Sequence, residues 1–244
     1  MCFLAGITHG RIGQTTMSSS FDDEMKSISS KLKQMLEMVL DRFTEAIESF
    51  EDLDQDRAEG LAFGEDESDA LHYQIEDAVF RLSSKHGPEG QDLRRLMAYL
   101  YTSMSLRRVS GYARKISETV GLCDGLDHFK ELESIPYLSD IARAALQTSL
   151  RAVLNADLSE IDQLEKLEAQ SDHELSEMFD EISDFLRQRR DIGTIAMCYM
   201  IVGRYCERAA DEAISMAEAA VYLVDGEHRK LGEVYKGVDE EEFI

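Results

Sequence analysis

From Phe21 onward, apolar side chains recur at steps of three and four residues: Met25, Ile28, Leu32, Met35, Val39, Phe43, Ala46 and Phe50. That period puts them on one stripe of an α-helix of about eight turns, whose apolar face needs a partner. A second helical pattern runs from about Ala58 to Ser84 and stops at the breaker His86-Gly87-Pro88, and a third runs from about Glu89 to Val120. Three helices joined by short loops predict an antiparallel bundle.

The period lapses from Gly121 to Pro136, which predicts a linker, and then resumes. A fourth helix is expected over Tyr137 to Ala156, a fifth over Leu158 to Arg190, and a sixth over Ile192 to Val224, stopped by Asp225-Gly226. The expected organisation is a disordered segment at 1–20, a first three-helix bundle at 21–120, a linker at 121–136, a second three-helix bundle at 137–226 and an acidic tail at 227–244 that frays at Asp239 to Glu242. Met17, just before Ser18-Ser19-Ser20, offers an alternative start of translation. The fold class is all-α, two tandem three-helix bundles.

Composition agrees: 2 prolines and 15 glycines leave few interruptions in a chain rich in helix formers. The 49 acidic and 26 basic residues give a formal charge of -23, which disfavours nucleic acid and anionic membrane as partners and favours cations or a basic protein surface. Cys2, Cys123, Cys198 and Cys206 lack metal-type spacing, so a reducing cytoplasm is the expected compartment. No run of about 18 apolar residues marks a membrane span, so no membrane insertion is expected.

Acids interrupt the apolar stripes at their centres. In the fifth helix the stripe reads Ile161, Leu164, Glu168, Asp172, Leu175, Phe179, Ile182 and Leu186; in the sixth, Met200, Gly203, Glu207, Asp211, Ile214, Ala217 and Val221. The second helix repeats the theme with Leu61, Glu65, Asp69, His72, Ile75, Val79 and Leu82, and Glu65 and Asp69 each precede Glu168 and Asp172 by 103 residues. This marks an internal repeat. One residue in five is acidic, so such spacing also arises on solvated faces; its recurrence inside apolar stripes of both halves favours an interior cluster.

Were Glu168, Asp172, Glu207 and Asp211 to converge, desolvation would force some to protonate or draw in a cation. An all-oxygen donor set suits iron, manganese, magnesium or calcium and disfavours zinc. His72 follows Asp69 by three residues and reads as a packed histidine outside the main site.

The sixth helix also carries the segments Arg204-Tyr-Cys-Glu-Arg-Ala-Ala-Asp211, Glu212-Ala-Ile-Ser-Met-Ala-Glu218 and Val221-Tyr-Leu-Val-Asp-Gly-Glu227, and the third opens with Gly87-Pro-Glu-Gly-Gln-Asp-Leu-Arg94. These resemble the helix segments of the PhoU family, with similarity over about residues 21 to 230. The resemblance implies tandem spectrin-like three-helix bundles, iron or a related divalent metal held by acidic pairs, and negative control of phosphate uptake. It further implies contact with a phosphate ABC transporter ATPase and a sensor histidine kinase, and a cytoplasmic homodimer is expected. Carried over, the metal ligands are Glu168, Asp172, Glu207 and Asp211, with Glu65 and Asp69 as weaker candidates in the first half.

The first half departs from that pattern. Where the second half has Glu207 and Asp211, the first has Arg107 and Gly111, on the stripe Leu93, Met97, Leu100, Met104, Arg107 and Gly111. Arg107 is therefore expected to pair with Glu65 or Asp69 as a structural substitute for metal, leaving metal in the second bundle only. Two rival functions remain open: a ferritin-like di-metal carboxylate oxidase, for which the Glu-x-x-His pairs are lacking, and a metal-free helical adaptor of another transporter.

Overall fold

The computed structural model describes residues 12–63 and 67–235, with side chains from Ser20 onward. Among them are seven α-helices and no strand: α1 Ile12–Glu51, α2 Gln55–Phe63, α3 Glu67–His86, α4 Gly90–Val120, α5 Ser134–Asn155, α6 Ile161–Gln188 and α7 Gly193–Asp225. The all-α expectation holds, as does the division into two repeated helical units. The second predicted helix is in fact two, α2 and α3, on either side of residues 64–66. Helical backbone begins at Ile12, ahead of the apolar stripe of α1. Cys2 and the acids from Asp239 to Glu242 lie outside the described residues.

α1, α3 and α4 pack on one another, with α2 laid across α1 and α4; α5, α6 and α7 form the second unit. The stripe of α1 is buried as its period requires, from Met25 and Leu32 to Phe43 and Phe50. Each such side chain contributes about 1.5–3 kcal/mol by leaving water. α7 ends where Gly226 turns into the left-handed region at φ 76° and returns its N–H to Tyr222 O. A side chain resists that conformation and glycine does not.

The units meet along α4 and α7. Small residues on α7 make this close approach possible: Ala209, Ala213, Ala217 and Ala220 are all buried. On the opposite face of α4, Ser117 Oγ donates to Ala113 O within its own helix, so the hydroxyl is buried with its hydrogen bond made. Polar clasps cross the seam. Arg94 Nε donates to Leu223 O at 3.3 Å, and Glu212 accepts from Arg108 Nη1 at 3.2 Å and from Tyr112 OH at 3.2 Å.

The stretch between α4 and α5 is pinned at the junction of the units. His128 Nε2 donates to Glu51 O at 2.9 Å, so in the neutral ring Nδ1 accepts from Tyr199 OH, 2.8 Å away. Phe50 and Tyr199 meet edge to face with centroids 5.6 Å apart, and Lys130 pairs with Glu181 of α6. Residues 227–235 also fold back: Leu231 and Gly232 are buried, and their N–H groups donate to Glu218 and Glu165.

Candidate carboxylate site and its arginine counterpart

α6 and α7 approach closely at Gly203, where an added Cβ would fall 2.2 Å from Met178 Cε. One turn further along α7, the backbone brings Glu207 to the α6 side. Glu207 and Glu168 are each 5% exposed, Asp172 is partly buried and Asp211 is exposed. Two of the four predicted ligands thus lie inside the unit and two on its rim.

Glu207 is the most perturbed of the group. Burial, then the charges of Asp211 and Asp172, push its carboxyl up to about 7, opposed by Arg204. Arg204 Nη1 donates to Oε1 at 2.5 Å, while Oε2 is buried with no hydrogen-bond partner among the described residues. A buried acceptor in that state carries a desolvation cost of about 1–3 kcal/mol. The pull of Asp172 and Asp211 on Glu207 shows that these three share one electrostatic environment.

Glu168 is directed elsewhere. A Cβ at Gly232, which stands at φ 76°, would come 3.1 Å from Glu168 Cδ, so this carboxylate packs under the returning strap of 227–235. Glu165, Glu212 and Glu218 are acids that the stripes did not flag; each anchors a strap or a seam rather than joining the cluster. Among the described residues no three His, Cys, Asp or Glu side chains stand close enough to hold an ion together. The oxygen donors present are of the right chemistry for a hard divalent ion, and the buried Glu207 Oε2 is the atom with most to gain from one.

In the first half, Glu65 falls outside the described residues. Asp69 meets Arg107: Nε donates to Oδ1 at 2.5 Å, the guanidinium lies 5.4 Å from the Tyr73 ring centre, and Nη2 is 3.5 Å from Tyr73 OH. Both side chains are nearly half exposed, so the pair is worth at most about 1 kcal/mol. His72 is packed: Ser103 Oγ donates to Leu100 O, so His72 Nδ1–H donates to Ser103 Oγ at 3.0 Å. Burial, then Arg107, lowers its pKa and keeps the ring neutral at pH 7.

The stripes placed two elements about one residue off. On α6 it is Met178, not Phe179, that is buried, and on α4 Leu93 and Met104 are exposed while Leu96, Leu106 and Val109 are buried. Arg107 and Gly111 therefore flank the core of α4 instead of entering it.

Two repeated helical units, with acids on one inner hairpin and an ion pair on the other, define an all-α tandem-repeat protein. The PhoU domain matches this chain twice, at residues 32–120 and 135–220, and the chain belongs to the PhoU family. It is 24% identical over 210 residues to a phosphate-specific transport system accessory protein PhoU homologue of Xylella fastidiosa (strain 9a5c), covering 85% of this chain and 88% of that one. A second such homologue, from Thermotoga maritima, is 23% identical over 220 residues, covering 90% and 94%. The crystal structure of PhoU from Pseudomonas aeruginosa superimposes with a TM-score of 0.79 at 20% identity, over 85% of this chain and all of that one. Among the described residues no helix is long and apolar enough to cross a membrane.

Proposed function

We propose that this protein is a regulator of phosphate uptake, an accessory protein rather than an enzyme, that restrains a phosphate-specific transport system when phosphate is ample. What supports the reading is the match of both halves to the PhoU domain, together with relatives named as accessory proteins of phosphate-specific transport. In this reading the protein is a cytoplasmic homodimer that touches the transporter's ATPase and a sensor histidine kinase. Its strongly acidic surface would steer it toward basic patches on such partners.

The second half carries a divalent ion, iron or manganese before magnesium, on Glu207 with Asp172 and Asp211, while Glu168 packs under the strap of 227–235. The observation behind this is the buried, unbonded Glu207 Oε2 beside two further carboxylates. A bound ion would supply positive charge that keeps these acids ionised and draws α6 and α7 together. Arg107 serves the same end in the first half, giving Asp69 a built-in cation.

Deleting the gene tests the regulatory reading. With inorganic phosphate in excess, the strain should express phosphate-scavenging genes that the parent keeps silent, and expression identical to the parent's would count against it.

A further inference from the structure

The exchange of acids for Arg107 and Gly111 does more than remove ligands. Beside α3 and α4 it opens a cleft of about 290 Å³, lined by Asp69, His72, Arg107, Arg108, Gly111 and Arg114. We propose that this cleft is a binding site for a tetrahedral oxyanion, inorganic phosphate or a phosphate monoester. The inference goes beyond the regulatory reading and does not depend on a metal in the second half.

Position and charge carry it. Arg107, Gly111 and Arg114 succeed each other at steps of four and three, so they share one face of α4, with Arg108 on its flank. In a chain of formal charge -23, three arginines line this cleft against one lining carboxylate among the described residues, Asp69. The acidic partners of Arg108 and Arg114 occupy only part of the donor capacity of these two. Arg108 engages Glu212 through Nη1, and Arg114 stands 3.8 Å from Glu118, which Lys115 also holds at 2.7 Å. Each guanidinium has five N–H donors in a fixed fork.

Asp69 has a definite part in this arrangement. By accepting from Nε it fixes the plane of Arg107 at the cleft. Gly111 supplies the room: nothing lies within 4 Å of where its Cβ would be, so the floor between Arg107 and Arg114 is open. One planar carboxylate saturates on a single fork, whereas forks reaching in from Arg107 and Arg114, two turns apart on one helix face, match the several oxygens and the charge of about −1.5 to −2 of a phosphate group.

Calorimetric titration of the full chain with inorganic phosphate tests the site, after chelator treatment and at constant ionic strength so that no metal contributes. Two variants read it: Gly111→Asp, which places in the open space the acid that Asp211 provides in the other half, and Arg114→Gln, which disturbs only an exposed pair. Each should weaken phosphate binding by about tenfold or more while the melting temperature stays near that of the unaltered protein. O-phosphoserine, titrated alongside, separates the two sources of the group: tighter binding of phosphate identifies the free ion, and tighter binding of the monoester identifies a substituent seated in the cleft. Absence of binding to either ligand at about 10 mM, or affinities unmoved by both substitutions, would overturn the proposal.

Discussion

Arg107 Nε stands 2.5 Å from Asp69 Oδ1 and ties α4 to α3 at the place that Glu207 and Asp172 hold in the other half. One repeat answers its carboxylate with a covalently attached cation, and the other sets Asp172 and Asp211 near Glu207 and leaves Glu207 Oε2 buried and unbonded. Arg107→Glu should therefore let the first half take up metal. Elemental analysis of protein purified without chelators should show a higher metal count per chain than the unaltered protein. An unchanged count would remove the idea that arginine replaces metal there. The stability cost of the change should stay near 1 kcal/mol, because both side chains are nearly half exposed.

The titration of Glu207 gives a signed pH dependence. Its folded carboxyl is raised to about 7 from an ordinary 4.5. An acid raised on folding contributes its stability fully below about 4.5 and loses it as pH climbs through 7. Glu207→Gln cannot ionise, so in metal-free protein it should gain on the parent between pH 5 and pH 8, by about 1–3 kcal/mol. Denaturant unfolding at the two pH values measures this, and a difference that does not change with pH contradicts it.

The seam between the halves depends on Glu212, which is buried against Arg108 and Tyr112. Arg108→Ala leaves that carboxylate with the tyrosine hydroxyl alone and should cost about 1 kcal/mol, discounted because Arg108 is itself half exposed. Combining it with Glu212→Gln should recover part of the loss. Strict additivity in the double-mutant cycle would show that the two do not interact.

At Gly232 two constraints coincide: a φ of 76° and an approach of 3.1 Å between an added Cβ and Glu168 Cδ. Gly232→Ala should release the strap of 227–235 at a cost of about 1–2 kcal/mol. Hydrogen exchange at the Leu231 and Gly232 amides reads it directly, since these N–H groups now donate to Glu218 and Glu165. Protection equal to that of the unaltered protein would contradict this role for the glycine.

The long stripe of α1 was legible in the sequence because that helix has one dominant buried face. α4 was legible as a helix and not in its orientation. It packs against α1 on one side and α7 on the other, and it buries serines toward the rest of the first unit with hydroxyls bonded to their own helix, as Ser117 does with Ala113 O. Polarity counted from sequence reads those positions as exposed. On α6 the choice between Met178 and Phe179 turned on the drift of about 20° per heptad between the apolar repeat and the real helix. Glu207 could be found from its stripe, and so could the pairing of Arg107. Glu165 and Glu218 could not, because their role depends on a strap that returns from more than a dozen residues away to cover them.

The proposed function rests on a cation held by Glu207 with Asp172 and Asp211. Counting metal on chelator-free protein tests it most directly, with Glu207→Gln combined with Asp172→Asn as the comparison. A divalent ion bound to the unaltered chain and lost from the double variant is the predicted result. Protein that purifies without metal and takes up none, or a variant that retains its full complement, would contradict it.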